Sequence, residues 1–396
     1  MSPVEARFAN LSAKRNLKRL HLSWKNNENI SEENAKDVLE ALAPPTSLKW
    51  LEIDKYNGAH FPSWFRDDIL GSVVSIDLDD CRNCRELPPF GILTSLRRLK
   101  ICNMDLVEYI DNRGDLRSSF GCLESLEIRA LPNLEGFSRH EVGNEMFPCL
   151  SFLHVFKCQK LSLPKLGSVK SLIVFGVGQQ LVESISNLCG LTELEMSRCD
   201  LTSLPQNVLH NLTTLQTLTI DYFKKIHELP SEFLNGLIAL QSLQINSCPE
   251  LKCLPEGMFE HCSLRRVDIG SCPALEEGFP SSPNQLISLQ HLSITSQRLP
   301  VLPEGLQHLS SLEYLKISYI SELASLPDWL GNLTTLKELI IRHCPDLECI
   351  PMSMQRLTNL KTFSIQWCPK LGQRCKKEVG EDWHKISHIP RVDIRC

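Results

Sequence analysis

Cys81-Arg-Asn-Cys84 is the pattern in this chain closest to reactive chemistry. Two thiols at that spacing can cycle to a disulfide or supply half of a zinc site. A zinc site needs a second Cys or His pair at ligand spacing, and none follows nearby. His384 and His388 stand four apart, as metal ligands on a helix do, but without the glutamate of a metalloprotease motif. They are expected in a terminal cap. Asp77, Asp79 and Asp80 form an acidic cluster that reads as a solvated strand face. A Gly-x-Ser-x-Gly elbow and a Gly-x-x-x-x-Gly-Lys-Ser/Thr phosphate loop are both missing. No catalytic, cofactor-binding or metal residue is assigned, and the chain reads as a non-enzyme. Aromatic and arginine side chains suit work of another kind, because they anchor protein interfaces. The candidates are Trp24, Trp50, Arg97, Arg98, Phe152, Tyr222, Arg265, Tyr314, Tyr319, Arg342, His343 and Trp367.

What must position them is a repeat. Leu336-Lys-Glu-Leu339-Ile-Ile341-Arg-His-Cys344-Pro-Asp-Leu347-Glu-Cys-Ile350-Pro351 has the same form as Leu240-Gln-Ser-Leu243-Gln-Ile245-Asn-Ser-Cys248-Pro-Glu-Leu251-Lys-Cys-Leu254-Pro255. The form recurs from Leu17 to Ile365 in about fifteen units with a mean step of about 24 residues, the period of leucine-rich repeats. Steps are nearly constant after Leu191 and looser before it. The second leucine and the following isoleucine alternate, so both point to one side of a short strand. Stacked units give an α/β solenoid: a horseshoe with a parallel concave sheet and a convex side of loops and short helical turns. Cys81, Cys158, Cys199, Cys248, Cys272, Cys344 and Cys368 all fall at the ninth place, where a small thiol buries itself at the turn. Leu-Pro pairs such as Leu326-Pro327 lead to the convex side, and proline discourages a second regular sheet there. The candidate residues are those between the core positions, expected on the concave face.

Residues 1–16 read as an N-terminal remnant with weak capping power, 17–368 as the solenoid and 369–396 as a C-terminal cap. After the polar stretch Lys25 to Asn29, Ser31 to Leu42 reads as a helical insertion, with Ser31 as N-cap and a stripe of Ala35, Val38, Leu39 and Leu42. Trp383, Ile386 and Ile389 are placed to cover the last open core face, and Arg391 to Ile394 to add an edge strand.

Val38-Leu-Glu-Ala-Leu-Ala-Pro-Pro45, Leu48-Lys-Trp-Leu-Glu-Ile53, Phe61-Pro-Ser-Trp64 and Cys81-Arg-Asn-Cys-Arg-Glu-Leu87-Pro-Pro-Phe resemble the repeat domain of plant intracellular coiled-coil, nucleotide-binding, leucine-rich-repeat disease-resistance proteins. The ending Cys368-Pro-Lys-Leu, Arg374-Cys375, Gly380-Glu-Asp-Trp383-His-Lys-Ile386-Ser-His-Ile389-Pro390 is similar to that family's C-terminus. The resemblance implies recognition of a pathogen effector or a modified host protein on the concave face. It also implies contact with a nucleotide-binding domain, and autoinhibition, in a full-length receptor. With the phosphate loop missing, the chain is expected to be a fragment or truncated form of such a receptor.

The 42 basic and 47 acidic residues give a net charge of −5, against a concentrated basic nucleic-acid face. No apolar run reaches a membrane span. The first ten residues have no secretory apolar core, so a cytoplasmic or nuclear protein with reduced thiols is expected. The rival reading is a cytosolic leucine-rich-repeat scaffold or ubiquitin-ligase substrate receptor. An extracellular receptor and a chain without independent function rank below it.

Overall fold

The computed structural model describes residues 2–24, 32–66, 68–111, 119–139, 146–255, 263–275, 288–296 and 299–395. The polar stretch after Trp24 and the proposed Ser31 cap lie outside them. The chain forms two compact units, Met1–Leu194 and Glu195–Cys396.

In the first unit, β1 (Arg19–Ser23), β2 (Trp50–Asp54), β3 (Ser75–Asp79), β4 (Arg98–Cys102), β6 (Ser125–Arg129), β8 (Phe152–Phe156) and β9 (Ser171–Phe175) lie side by side in chain order, all parallel. Between them β5 (Tyr109–Asp111) and β7 (Gly136–Ser138) form a separate two-stranded parallel sheet. β10 (Glu193–Ser197) contains the boundary between the units. In the second unit β11 (Thr217–Asp221), β12 (Ser242–Asn246), β13 (Arg266–Gly270), β14 (His291–Thr295), β15 (Tyr314–Ser318), β16 (Glu338–Arg342), β17 (Thr362–Gln366) and β18 (Arg391–Arg395) repeat the arrangement.

Each strand other than β5 and β7 has five residues, and the second and fourth point inward. The register stacks like on like: Leu339 pairs with Phe363 and Ile341 with Ile365, all fully buried. Within each unit these positions build an apolar ladder, the largest favourable contribution to a solenoid. Positions one, three and five line the opposite, open face.

The ninth-place thiols are buried, and each donates to the carbonyl two residues back: Cys248 to Asn246 at 3.3 Å, Cys344 to Arg342 at 3.4 Å, Cys368 to Gln366 at 3.3 Å. The residue in between adopts a left-handed conformation, as at Asp80 (φ 55°), Ser271 (φ 53°), His343 (φ 50°) and Trp367 (φ 58°). That conformation is unfavourable for a residue with a Cβ. It is held because the corner N–H reaches the last carbonyl of the next strand: Ser271 to Thr295 at 2.7 Å, His343 to Gln366 at 2.9 Å, Trp367 to Arg395 at 2.7 Å. This left-handed corner is invisible in the apolar pattern.

Beyond the corners, 3-10 turns start after a proline at Glu304–His308, Asp328–Asn332 and Met352–Arg356, and bury Leu306, Leu330 and Met354. The second sheet that proline was expected to discourage does form once, at β5 and β7. The sequence explains the exception: Val107-Glu-Tyr-Ile-Asp111 and Leu134-Glu-Gly-Phe-Ser138 lack the proline, so their N–H groups are available. Where Leu-Pro is present the pairing shrinks to single bridges, Glu228 to Cys253 and Ser325 to Cys349.

Both ends are covered. Helix α1 (Pro3–Phe8) has a capping box between Ser2 and Glu5 and packs on α2 (Glu32–Ala41) through Ala6, Val38 and Leu42. The segment expected as an N-terminal remnant thus contains α1 and a 3-10 turn at Leu11–Ala13, with Ala6 buried. In the first unit a short helix, α3 (Gln179–Ser184), buries Leu181 and Val182. At the far end α4 (Pro369–Arg374), α5 (Trp383–Ile386) and β18 close the stack, with Ile386 and Ile389 buried as expected and Trp383 only half-buried. The charged Asp382, 1% exposed, is the centre of this cap.

Candidate recognition surface

A strand with three outward positions, followed by a left-handed corner, presents four rows of side chains to the open face. The candidate residues fall into different rows. Trp50, Arg98, Phe152 and Tyr314 begin their strands. Arg342 ends one. Tyr222, Tyr319, His343 and Trp367 are corner residues with positive φ. Arg97 and Arg265 precede their strands, and both are exposed.

In the first unit, Trp24 is half-buried. It sits edge-on to Tyr56 at 5.1 Å and packs against the Ala6, Val38 and Leu42 cluster of the N-terminal cap. Trp50 carries the Arg19 guanidinium over its ring at 4.5 Å. Arg97 is ion-paired with Glu124, and Arg98 is exposed. Phe152 is 50% exposed. The middle row is charged: Lys100 bonds Asp77 at 3.1 Å, and His21 lies 3.7 Å from Glu52. Burial lifts the Asp77 carboxyl above its usual range in spite of Lys100. Asp77 thus lines the open face at a part-buried site, where a wholly solvated strand face was expected. Cys81 and Cys84 are buried; Cys84 donates to Gly58 O at 3.0 Å, and burial pushes the Cys81 thiol up to about 12. Among the described residues no group of His, Cys, Asp and Glu is arranged to hold a metal.

In the second unit the structure brings candidates into contact. Tyr319, His343 and Trp367 are each one 24-residue repeat apart, and their rings stack. Tyr319 to His343 is 4.4 Å at 14°, and His343 to Trp367 is 5.9 Å at 7°. Parallel strands about 4.8 Å apart set this spacing, and the corner conformation aims each ring the same way. Tyr319 and Trp367 remain 51% and 62% exposed. Tyr314 stacks on His291 of the neighbouring strand at 3.9 Å. Burial, then the nearby Arg266, lowers the His291 pKa; burial raises that of Tyr314. Tyr222, in an earlier repeat, lies under the Arg198 guanidinium at 4.9 Å. It lines a shallow depression of about 290 Å³ with Lys224, Ser247 and Pro249.

His291, Arg198 and Arg19 were missed in the sequence, although all three are legible in it. Each lies one repeat from a named aromatic at the same place in the unit, so in-register stacking predicts the contact. The equal spacing of Tyr319, His343 and Trp367 is the clearest such signal.

This geometry is that of a repeat protein that presents side chains, and the comparisons agree. Residues 1–104 match the family of R13L1/DRL21 LRRs, and residues 175–298 match the leucine-rich repeats of plant disease resistance protein RPS2-like. This chain is a leucine-rich-repeat domain related to the plant coiled-coil, nucleotide-binding disease-resistance proteins. The domain is 38% identical over 230 residues to the disease resistance protein RGA1 of Solanum bulbocastanum, covering 58% of this chain and 23% of that protein. It is 29% identical over 280 residues to the disease resistance RPP13-like protein 1 of Arabidopsis thaliana, covering 64% and 26%. The domain thus spans about a quarter of the length of the curated relatives it matches. Among solved structures, the TLR13 chain of a TLR13–ssRNA13 complex matches with a TM-score of 0.56 at 15% identity, covering 100% of this domain and 59% of that chain, a likeness of fold. A leucine-rich-repeat region of this type is non-catalytic, and the domain is not an enzyme. Among the described residues no helix is long and apolar enough to cross a membrane.

Proposed function

We propose that the domain is the protein-recognition part of a plant innate immune receptor, binding a pathogen effector or a modified host protein on its open sheet face. The observation that carries this reading is the exposed Tyr319–His343–Trp367 stack beside Arg342. Rigid aromatics and arginine are the residue types that dominate interface energetics, and they lose little freedom when a partner docks. The relationship to disease-resistance proteins supports it. Recognition would act through differential affinity for two receptor states, with the N-terminal repeats holding a nucleotide-binding domain in check until a ligand binds. The setting would be the cytoplasm, with access to the nucleus.

The test is the combined substitution Tyr314→Ala, Tyr319→Ala, Arg342→Ala and Trp367→Ala. Wild-type and variant chains are expressed in leaf tissue and their cross-linked partners quantified by mass spectrometry. A set of proteins whose recovery falls about tenfold or more with the variant is expected. Equal recovery of every partner sinks the reading.

A further inference from the structure

Two cations on the open face of β15 and β16 have no counter-ion among the described residues. Lys316, in the middle of β15, and Arg342, at the end of β16, make no ion pair with any of them. Their neighbours differ: Arg266 is held by Asp268 at 2.7 Å, Arg395 by Asp393 at 3.0 Å and Lys337 by Glu313 at 2.7 Å. The Arg342 Nε is also buried without a hydrogen-bond acceptor. Its register partner Ser318 is 1% exposed, and the Ser318 Oγ likewise lacks a partner. Buried polar atoms are ordinarily satisfied, so a donor left open beside an unmatched hydroxyl marks a place where an acceptor belongs. Arg342 adjoins His343 in the chain, so this acceptor site sits against the Tyr319–His343–Trp367 stack. The half-buried Ile340 lies in register with Lys316.

We infer that this face takes an acidic peptide segment of a partner protein, its carboxylate bridging Arg342 and Lys316 and its adjoining apolar side chain lying on the Tyr319–His343–Trp367 stack. The inference rests on the recognition reading above and names the chemistry of the partner. Guanidinium and carboxylate match in geometry as well as charge. A phosphate backbone fits poorly: Asp268, Glu338 and Asp393 share the face and interrupt its basic positions, whereas nucleic acid needs a continuous basic stripe. Glu338 begins β16 and repels acid from that end, which orients the segment toward Arg342.

The experiment selects a random peptide library displayed on phage against the full chain. It repeats the selection against Arg342→Gln with Lys316→Gln, and against Tyr319→Ala with Trp367→Ala, with matched thermal unfolding as the folding control. The expected pool is enriched in Asp or Glu next to an aromatic or aliphatic residue, and its members bind the charge variant about tenfold more weakly. Changing the peptide's acid to its amide causes the same loss, and the two losses do not add when combined. Peptides that depend on Tyr319 and Trp367 but carry no acid, or that bind the charge variant equally well, overturn the acidic-segment inference and leave the recognition reading standing. A pool indifferent to the aromatic variant overturns both. Oligothymidylate binding that is lost with Arg342 overturns the inference in favour of nucleic acid.

Discussion

Asp382 is gripped by Arg374 through two hydrogen bonds, Nε to Oδ2 at 3.1 Å and Nη2 to Oδ1 at 3.2 Å, while a second cation, the Lys385 ammonium, stands 2.8 Å away. The same carboxylate accepts the Ile350 N–H at 3.4 Å, tying the cap to the turn beneath it. Burial works against the charge, but the Arg374 and Lys385 bonds prevail and hold the Asp382 carboxyl below its ordinary range. A depressed acid stabilises the fold above its unfolded pKa, about 3.9, and that stability is lost as pH falls through the lower folded value. Protection of the amides in residues 369–395, relative to their intrinsic exchange rate at each pH, is therefore expected to fall below about pH 4. Asp382→Ala strands the Ile350 N–H and costs about 1–3 kcal/mol. If cap exchange in that variant keeps the wild-type pH profile, Asp382 is not the group that titrates.

Thiol reactivity should divide by burial. The thiolate is the nucleophile, so a raised pKa suppresses alkylation. Burial pushes Cys81 and Cys102 up to about 12 and Cys158 up to about 11, while Cys122, Cys149, Cys189 and Cys253 are exposed. Iodoacetamide at pH 8 followed by peptide mass spectrometry is expected to mark the exposed group first. Labelling of Cys81 at the rate of Cys122 in the native chain contradicts this.

The corner conformation makes its own forecast. Ser271 sits at φ 53° with its N–H bonded to Thr295. Ser271→Val places a β-branched residue in the left-handed region and should cost about 1–2 kcal/mol, whereas Ser271→Gly or Ser271→Asn should be neutral or stabilising. Urea unfolding of the three variants decides it; an indifferent valine would mean that the corner relaxes.

Gly331 tests packing on the side away from the sheet. A Cβ there would lie 2.6 Å from the Ser353 Cβ and closer still to the Ser353 carbonyl oxygen. Gly331→Ala is expected to push apart the turns Asp328–Asn332 and Met352–Arg356 and cost about 1–3 kcal/mol, read as a lower urea midpoint. An unchanged midpoint would show that neighbouring repeats can slide apart freely.

The Leu-x-x-Leu-x-Ile spacing was enough to place every long-ladder strand but the last, because side-chain alternation and burial act within a few residues. The closing strand at Arg391 was also legible, as was the burial of the ninth-place cysteines. The cap's ionic centre was not: Asp382, Arg374, Lys385 and Ile350 meet only after the chain has turned, and a charge carries no periodic signature. The candidate surface was half legible. Residue types named Tyr319, His343 and Trp367, but only register shows that they touch, and only the structure shows Lys316 and Arg342 without an acid partner among the described residues. Trp24, expected on the open face, also packs in the N-terminal cap, a contact with no periodic signature.

The left-handed corners free one side chain per repeat from structural duty and line those side chains up at a fixed pitch. Gain or loss of one whole 24-residue unit would therefore shift the reading column by a single strand spacing and leave the stack intact. Such a surface can be edited in register, letter by letter through substitution or frame by frame through duplication, without renegotiating the core beneath it.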